Sequence, residues 1–405
     1  MHDQGREVTG GVDTHGDVHV AAVIDATARI LGVESFDVTP GGYRQLLAWM
    51  RRHGQVVKVG VEGTGSFGAG LARYLAAEGV AVVEVNRPDR QRRRRLGKSD
   101  PVDAESAARA ALSGEASGQP KSGDGQVEAI RVLRLARRSA IKARTQAANQ
   151  TRDLIITAPD QLRGRLRALS TRERVDACAR FRPAEVTEPV GATKAALRTL
   201  ALRHQQLSEE ITALDAHLAR LCAAANPALL AAAGVGPEVA ASLLVAAGDN
   251  PERMRSEASF AALCGVSPVE ASSGKVTRHR LNSGGDRQAN NALWRIVLVR
   301  MSSDDHTKAY VTRRTAEGKS KREIIRCLKR HVAREMFKLL THPPAVPHGN
   351  DLRVLRTRAR LTLADAAEAL SSWPIAISRL ERGLSHDAEL ARRYQLWLQH
   401  ASPAA

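Results

Sequence analysis

"VTGGVDTHGDVHVAAVIDATARILGVESF", residues 8 to 36, decides the first fold assignment. It divides into three β-rich runs, VTGGVDTH, VHVAAVID and ILGVESF, separated by Gly, Asp and Thr turn signals. Three short strands joined by tight turns form an antiparallel meander. A helical pattern follows at 41 to 53, then the apolar strand VVKVGVEG, a helix from Ser66 to Glu78, and a second apolar strand at 80 to 85. A meander followed by alternating helices and strands predicts a mixed sheet with helices on its faces, an α/β domain over residues 7–114. Pro101 is well placed at the first position of a helix through VDAESAARAAL.

The rest of the chain reads as mostly α-helical. Residues 114 to 126, rich in Gly, Ser and Pro, are expected to be a linker. A helical region then covers 127–225, where Leu207, Ile211, Leu214, Leu218 and Leu221 alternate spacings of four and three. That seam suits packing within the chain as well as a dimeric coiled coil. A second domain is expected over 226–341, a breaker at THPPAVPHGN, and a helical tail over 351–400.

Composition narrows the partner. The 405 residues include 61 Lys and Arg against 43 Asp and Glu, a formal charge of +18. Such an excess implies a polyanion, because cations that neutralise phosphates release condensed counterions. No apolar run approaches a bilayer span and no signal-peptide core opens the sequence, so no membrane partner and a cytoplasmic location are expected. The four cysteines are far apart, which fits packing residues better than a zinc site.

Four acids occupy positions where chemistry is common. Asp13 ends the first strand and is preferred to Asp17, which lies in the turn; Glu62 ends the fourth, and Asp100 and Asp103 open a helix one turn apart. Taken singly, each is a turn former or a helix N-terminal acid. Gathered at the end of one sheet, they would repel one another and require a cation, and hard oxygen donors suit Mg²⁺, with a pair of ions the recurring arrangement for phosphodiester chemistry. Just before that helix, RPDRQRRRRLGK carries seven basic residues against one acid. Arg92, Arg93, Arg94, Arg95 and Lys98 in this run are candidates to grip a nucleic-acid backbone.

The order of strand Asp, strand Glu and D-x-x-D helix resembles the ribonuclease H-like fold of RuvC-type nucleases. GVDTHGDVHVAAV, VEGTGSFGAGLARYL and GKSDPVDAESAARAAL are similar to the N-terminal domain of DEDD-type insertion-sequence transposases, the IS-one-ten family. AAAGVGPEVAASLL, FAALCGVSPVEASSGKVTRHRLNSGGDRQANNALWRI and KSKREIIRCLKRHVARE resemble that family's C-terminal domain.

The resemblance implies recombination of donor and target DNA by a Mg²⁺-bearing RuvC-like domain and a serine of the second domain. It also implies a structured guide RNA and a homodimer or tetramer. The serine role falls on Ser273, with its neighbour Ser272 the alternative. A serine hydroxyl needs activation to attack phosphorus, and Lys275, Arg278, His279, Arg280 and Arg287 could stabilise the charge that develops. A phosphoserine link conserves bond energy, in keeping with the lack of a Walker-type loop. Gly234 and Gly236 in AGVGP resemble the turn of a helix-hairpin-helix, which holds phosphate through backbone N–H groups, and fit equally a tight αα turn that only packs.

The tail lies outside this resemblance and looks like a Cro-type helix-turn-helix. Thr362 would cap its first helix and Pro374 would start the second, with Ile375, Ser378 and Arg379 facing a major groove. Two other functions fit parts of the pattern: a water-using junction resolvase or nuclease, and a non-enzymatic DNA-binding regulator.

Overall fold

The computed structural model describes residues 5–85, 99–182, 186–347 and 349–401. They form two compact units, one of residues 1–125 with 247–256, the other of residues 126–246 with 257–405.

The first unit is built on a five-stranded sheet in the order β3-β2-β1-β4-β5. Strands β1 (Glu7–Thr14), β2 (Val18–Asp25) and β3 (Ile30–Asp37) are antiparallel. Strands β4 (Gln55–Glu62) and β5 (Ala81–Val85) extend the sheet in parallel from β1. This is the mixed sheet of the ribonuclease H-like fold, as the turn signals and apolar runs predicted.

Helices α1 (Pro40–Arg52) and α2 (Ala69–Ala77) pack on one face. There Val12, Val23, Leu46, Met50, Val59 and Leu71 form a fully buried core. Helix α3 (Asp100–Ser113) covers the other face against β1, β2 and β4. Its approach depends on missing side chains: a β-carbon on Gly11 would stand 2.1 Å from the Ala108 amide nitrogen, and one on Gly60 2.5 Å from the Ala107 oxygen. Alanines at 104, 107, 108 and 111 complete this close packing.

The segment expected as a linker is tied down. Glu84 N donates to Gly118 O at 2.7 Å, extending the sheet edge, and Ser122 N donates to Asn250 Oδ1 at 3.1 Å. Arg255 donates to the Ser117 oxygen at 2.9 Å. The physical reason is satisfaction of backbone groups by a segment more than a hundred residues away, which composition does not announce.

The second unit is helical. Long helices α4 (Gln126–Ile156) and α7 (Pro189–Ala225) pack along each other, with α5 (Asp160–Leu166) and α6 (Thr171–Ala179) between them in sequence. Of the heptad seam, Ile211 and Leu218 are buried, while Leu207, Leu214 and Leu221 are partly covered. The short α8 (Pro227–Leu230) precedes α9 (Pro237–Ala247), and α10 (Glu257–Leu263) leads into a small hairpin of β6 (Val269–Glu270) and β7 (His279–Arg280). Helices α11 (Arg287–Ser303), α12 (Asp305–Ala316) and α13 (Lys321–Thr341) follow.

Buried Arg134 of α4 joins this body together. Its Nη2 donates to Glu238 Oε1 at 3.0 Å and to Ser242 Oγ at 2.5 Å, both on α9. The tail comprises α14 (Gly349–Arg358), α15 (Leu363–Ala369), α16 (Pro374–Glu381) and α17 (Ala388–Ala401), around a separate core that includes Leu352, Ile377 and Tyr394. No described helix is long and apolar enough to cross a membrane.

Candidate functional site

The acidic site is set by where the first unit's strands end. β1 and β4 run parallel with Val12 beside Val61, so Asp13 and Glu62 are the next residues of two neighbouring strands. Residues two apart share a sheet face. Gly11 and Gly60 face α3, which places Asp13 and Glu62 on the α3 side as well. Helix α3 begins there, with Ser99 at its N-cap and Asp100 and Asp103 in its first turn. The D-x-x-D spacing thus delivers two carboxylates to the sheet end where the strand acids stand.

Asp13 is buried, at 7% exposure, and Asp103 more so at 2%. His15, in the turn after β1, lies between strand and helix: its Nε2 is 3.2 Å from Asp13 Oδ2 and 3.4 Å from Asp100 Oδ1. One donor atom from each of Asp13, His15 and Asp100 lies within 4.8 Å of the others. The Asp13 carboxyl is raised above its ordinary value. Burial is the main cause; His15 opposes it, and the charges of Asp103 and Asp100 add to it. A buried carboxylate pressed by two others fits a site that binds a hard divalent cation, since the cation would relieve both desolvation and repulsion. His15 was missed by sequence reasoning, because a histidine in a turn carries no signal of what the fold brings beside it.

The second set of candidates lies on the hairpin of the other unit. Ala271 N donates to Arg278 O at 2.7 Å, and Ser273 and Val276 exchange backbone hydrogen bonds at 3.1 Å each. Gly274 closes the turn at φ +56, a left-handed conformation that favours glycine. Ser273 therefore sits at the tip, and residues 271–280 are all exposed, including Lys275, Arg278, His279 and Arg280.

The two serines differ. Ser272 Oγ accepts a hydrogen bond from Arg278 N at 3.1 Å, which occupies it with the hairpin. Ser273 Oγ has no hydrogen-bond partner among the described residues. The hairpin root is fixed: Asp286 N donates to Leu263 O at 2.6 Å, and Asn290 Nδ2 donates to Cys264 O at 2.8 Å. Asp286 caps α11 by accepting from Gln288 N and Ala289 N, and Arg287 beside it is exposed.

The remaining candidates are dispersed. Arg92, Arg93, Arg94, Arg95 and Lys98 lie outside the described residues. Gly234, at φ +78, and Gly236 form the turn between α8 and α9. Glu238, in the first turn of α9, is paired with Arg134 and Arg137 of α4. In the tail, Thr362 caps α15 with a reciprocal Asp365 bond, and residues 370–373 turn into α16. Arg379 on α16 is exposed, as are Trp373 and Ile375 at its start.

Fold and acids together define a ribonuclease H-like domain with an acidic centre at its sheet end, followed by a helical domain carrying an exposed serine hairpin. Residues 10–157 match a transposase family model of the DEDD, IS110 type, and residues 226–312 match the model described as the transposase IS116/IS110/IS902 family. The chain therefore carries both transposase domains of the IS110 family. It is also similar to the uncharacterized 43.6 kDa protein of insertion element IS110 from Streptomyces coelicolor, at 28% identity over 158 residues. That alignment covers 38% of this chain and 39% of the relative.

Proposed function

We propose that this chain is a transposase that recombines the DNA of an insertion sequence, using Mg²⁺ at Asp13, Glu62, Asp100 and Asp103 and Ser273 as nucleophile. The observation that carries the reading is the acidic centre at the end of a ribonuclease H-like sheet, in a chain with two matched transposase domains. Bound at that centre, Mg²⁺, as one ion or a pair, would polarise a phosphodiester and neutralise charge on its oxygens.

The chain's own residues supply the rest. Asp13 and Asp103, buried on rigid elements, hold their carboxylates at the sheet end, while the more exposed Asp100 closes the cluster. Ser273 Oγ attacks phosphorus and forms a phosphoserine ester as the P–O3′ bond breaks. The hydroxyl proton leaves to solvent or a nearby base, and the departing 3′ oxygen takes up a proton. Reversal on a second strand rejoins DNA without a nucleotide cofactor. Lys275, Arg278 and Arg280 line the same exposed hairpin and are suited to phosphate oxygens.

Donor and target DNA are the substrates in this reading. A structured guide RNA and a dimeric or tetrameric assembly complete it. The excess positive charge supports polynucleotide partners of either kind. In the tail, the exposed Arg379 supports an additional DNA contact.

The test is a covalent adduct between protein and a DNA bearing the element's ends. Wild-type protein with Mg²⁺ should form it; Ser273→Ala, Asp100→Asn and Asp103→Asn proteins should not, although all still bind DNA. Cleavage with free 5′ phosphates and no adduct would replace this mechanism with hydrolysis by water. Sequencing RNA that co-purifies with the protein tests the guide.

A further inference from the structure

A cleft of about 630 Å³ opens in the second unit beside the root of the hairpin. Its size is that of sites that enclose small molecules, and its chemistry is one-sided. Arg314, Arg326, Lys329 and Arg330 line it, and no Asp or Glu does.

Arg314 is paired with Glu317 and Arg326 is exposed, while Lys329 and Arg330 are incompletely compensated. Lys329 is half-buried, and its Nζ donates to the neutral Asn290 Oδ1 at 2.9 Å. Burial, and then the charge of Arg326, hold its ammonium below the usual lysine range. Arg330 Nη1 is buried without a hydrogen-bond partner among the described residues, while its Nη2 lies 3.8 Å from Glu257 Oε1. Two partly desolvated cations, Lys329 and Arg330, with the exposed Arg326 beside them, are relieved by an anion that enters the recess.

The rest of the lining is of another kind. Val266, Pro268, Leu281 and Tyr310 contribute apolar surface, and Leu281 is 66% exposed. A ligand that satisfies both parts joins an anionic group to a flat, largely apolar body, which describes a nucleotide. A base within a duplex is stacked and cannot enter a recess, whereas an unpaired one can.

We propose that this cleft holds one unpaired nucleotide of a nucleic-acid strand, its phosphate on Arg326 and Lys329 and its base against Leu281 and Tyr310. The inference rests on the polynucleotide reading above and uses neither Ser273 nor the acidic centre.

The experiment uses full-length Ser273→Ala protein in chelator, so that chemistry and metal play no part. Fluorescence anisotropy measures binding of labelled oligothymidylate, oligouridylate, an abasic phosphodiester strand and a duplex of equal length. The Arg326→Gln/Lys329→Gln double variant should lose about tenfold in single-strand affinity, with a log–log salt slope shallower by about 1, and keep its duplex affinity. Tyr310→Leu should weaken the base-bearing strands and leave the abasic strand unchanged. Tighter binding of oligouridylate assigns the cleft to RNA, and equal or tighter binding of oligothymidylate assigns it to DNA; both support an unpaired nucleotide. Equal losses on duplex and single strand, or abasic binding as tight as the rest, would overturn it. Arg326→Lys/Lys329→Arg protein, which keeps the charge, should bind as wild type and so separates loss of contact from loss of fold. A failed adduct experiment leaves this outcome untouched, which keeps the two readings separable.

Discussion

A β-carbon on Gly11 would stand 2.1 Å from the amide nitrogen of Ala108, so strand β1 and helix α3 touch backbone to backbone. The contact lies two residues from Asp13 on the strand and two turns from Asp100 on the helix. Gly11→Ala must therefore push α3 away from the sheet, and with it Asp100 and Asp103. Overpacking of this kind costs about 1–3 kcal/mol. The urea midpoint should fall, and divalent-cation binding measured by calorimetry should weaken without any acid having been changed. Cation binding at wild-type strength in a folded Gly11→Ala protein would show that α3 does not set the site.

The burial of Asp13 makes a signed pH prediction. Its folded carboxyl titrates above the ordinary range, so between that range and its raised value the folded chain holds more protons than the unfolded one. Stability of the metal-free protein is then fully present below the ordinary carboxylate range and declines as pH rises through the window. Asp13→Asn should remove the decline, raise the melting temperature of metal-free protein at neutral pH, and abolish stabilisation by added Mg²⁺. A lowered melting temperature would mean that native hydrogen bonds, including the one to His15, favour the charged carboxylate more than burial opposes it.

His15 adds a nitrogen to a carboxylate set. Imidazole is a better ligand for Mn²⁺ than for Mg²⁺, which prefers oxygen. His15→Ala should weaken Mn²⁺ binding by roughly tenfold and Mg²⁺ binding much less. Calorimetric titration with each ion reads this directly. Equal loss for both ions would recast His15 as a residue that only orients Asp13 and Asp100.

Much of the first unit was legible in the sequence. Turn residues punctuated the meander, and continuous apolar runs marked the parallel strands. The D-x-x-D spacing placed two acids on one helical turn. What stayed hidden depends on contacts between distant residues. The strands of the serine hairpin are two residues each and exposed apart from a partly covered Val269, so they are too short for an alternation of apolar and polar residues to announce them. Residues 114–125 looked free because their partners at Glu84 and Asn250 are remote. Ser272 and Ser273 were equivalent as letters; the cross-hairpin bond from Arg278 separates them.

That separation is testable. Ser272→Ala removes an acceptor that fastens an exposed hairpin, at a cost of about 1 kcal/mol. Adduct formation should fall several-fold in this variant and recover in Ser272→Thr, whose hydroxyl can take the same bond. On the mechanism proposed above, Ser273→Thr, by contrast, should not reach wild-type adduct formation, because a β-branched side chain is restricted at χ1. If Ser272→Ala abolished the adduct while Ser273→Ala retained it, the roles would be reversed.

In the tail, Arg356 and Glu381 decide whether α14 and α16 stay together. Glu381 is 5% exposed, and both its oxygens are engaged: Arg356 Nε donates to Oε1 at 2.7 Å, Arg356 Nη2 to Oε2 at 3.0 Å, and Tyr394 Oη donates to Oε1 at 2.6 Å. Arg356→Ala leaves a buried carboxylate without its cation, which costs about 3 kcal/mol or more. Amide exchange across residues 352–398 should accelerate, while exchange in α11 and α13 stays at its wild-type rate. The double change Arg356→Met/Glu381→Leu replaces the pair with apolar packing and should restore most of the protection. If both variants exchanged equally fast, shape at these two positions, and not the charge pair, would be what holds the tail.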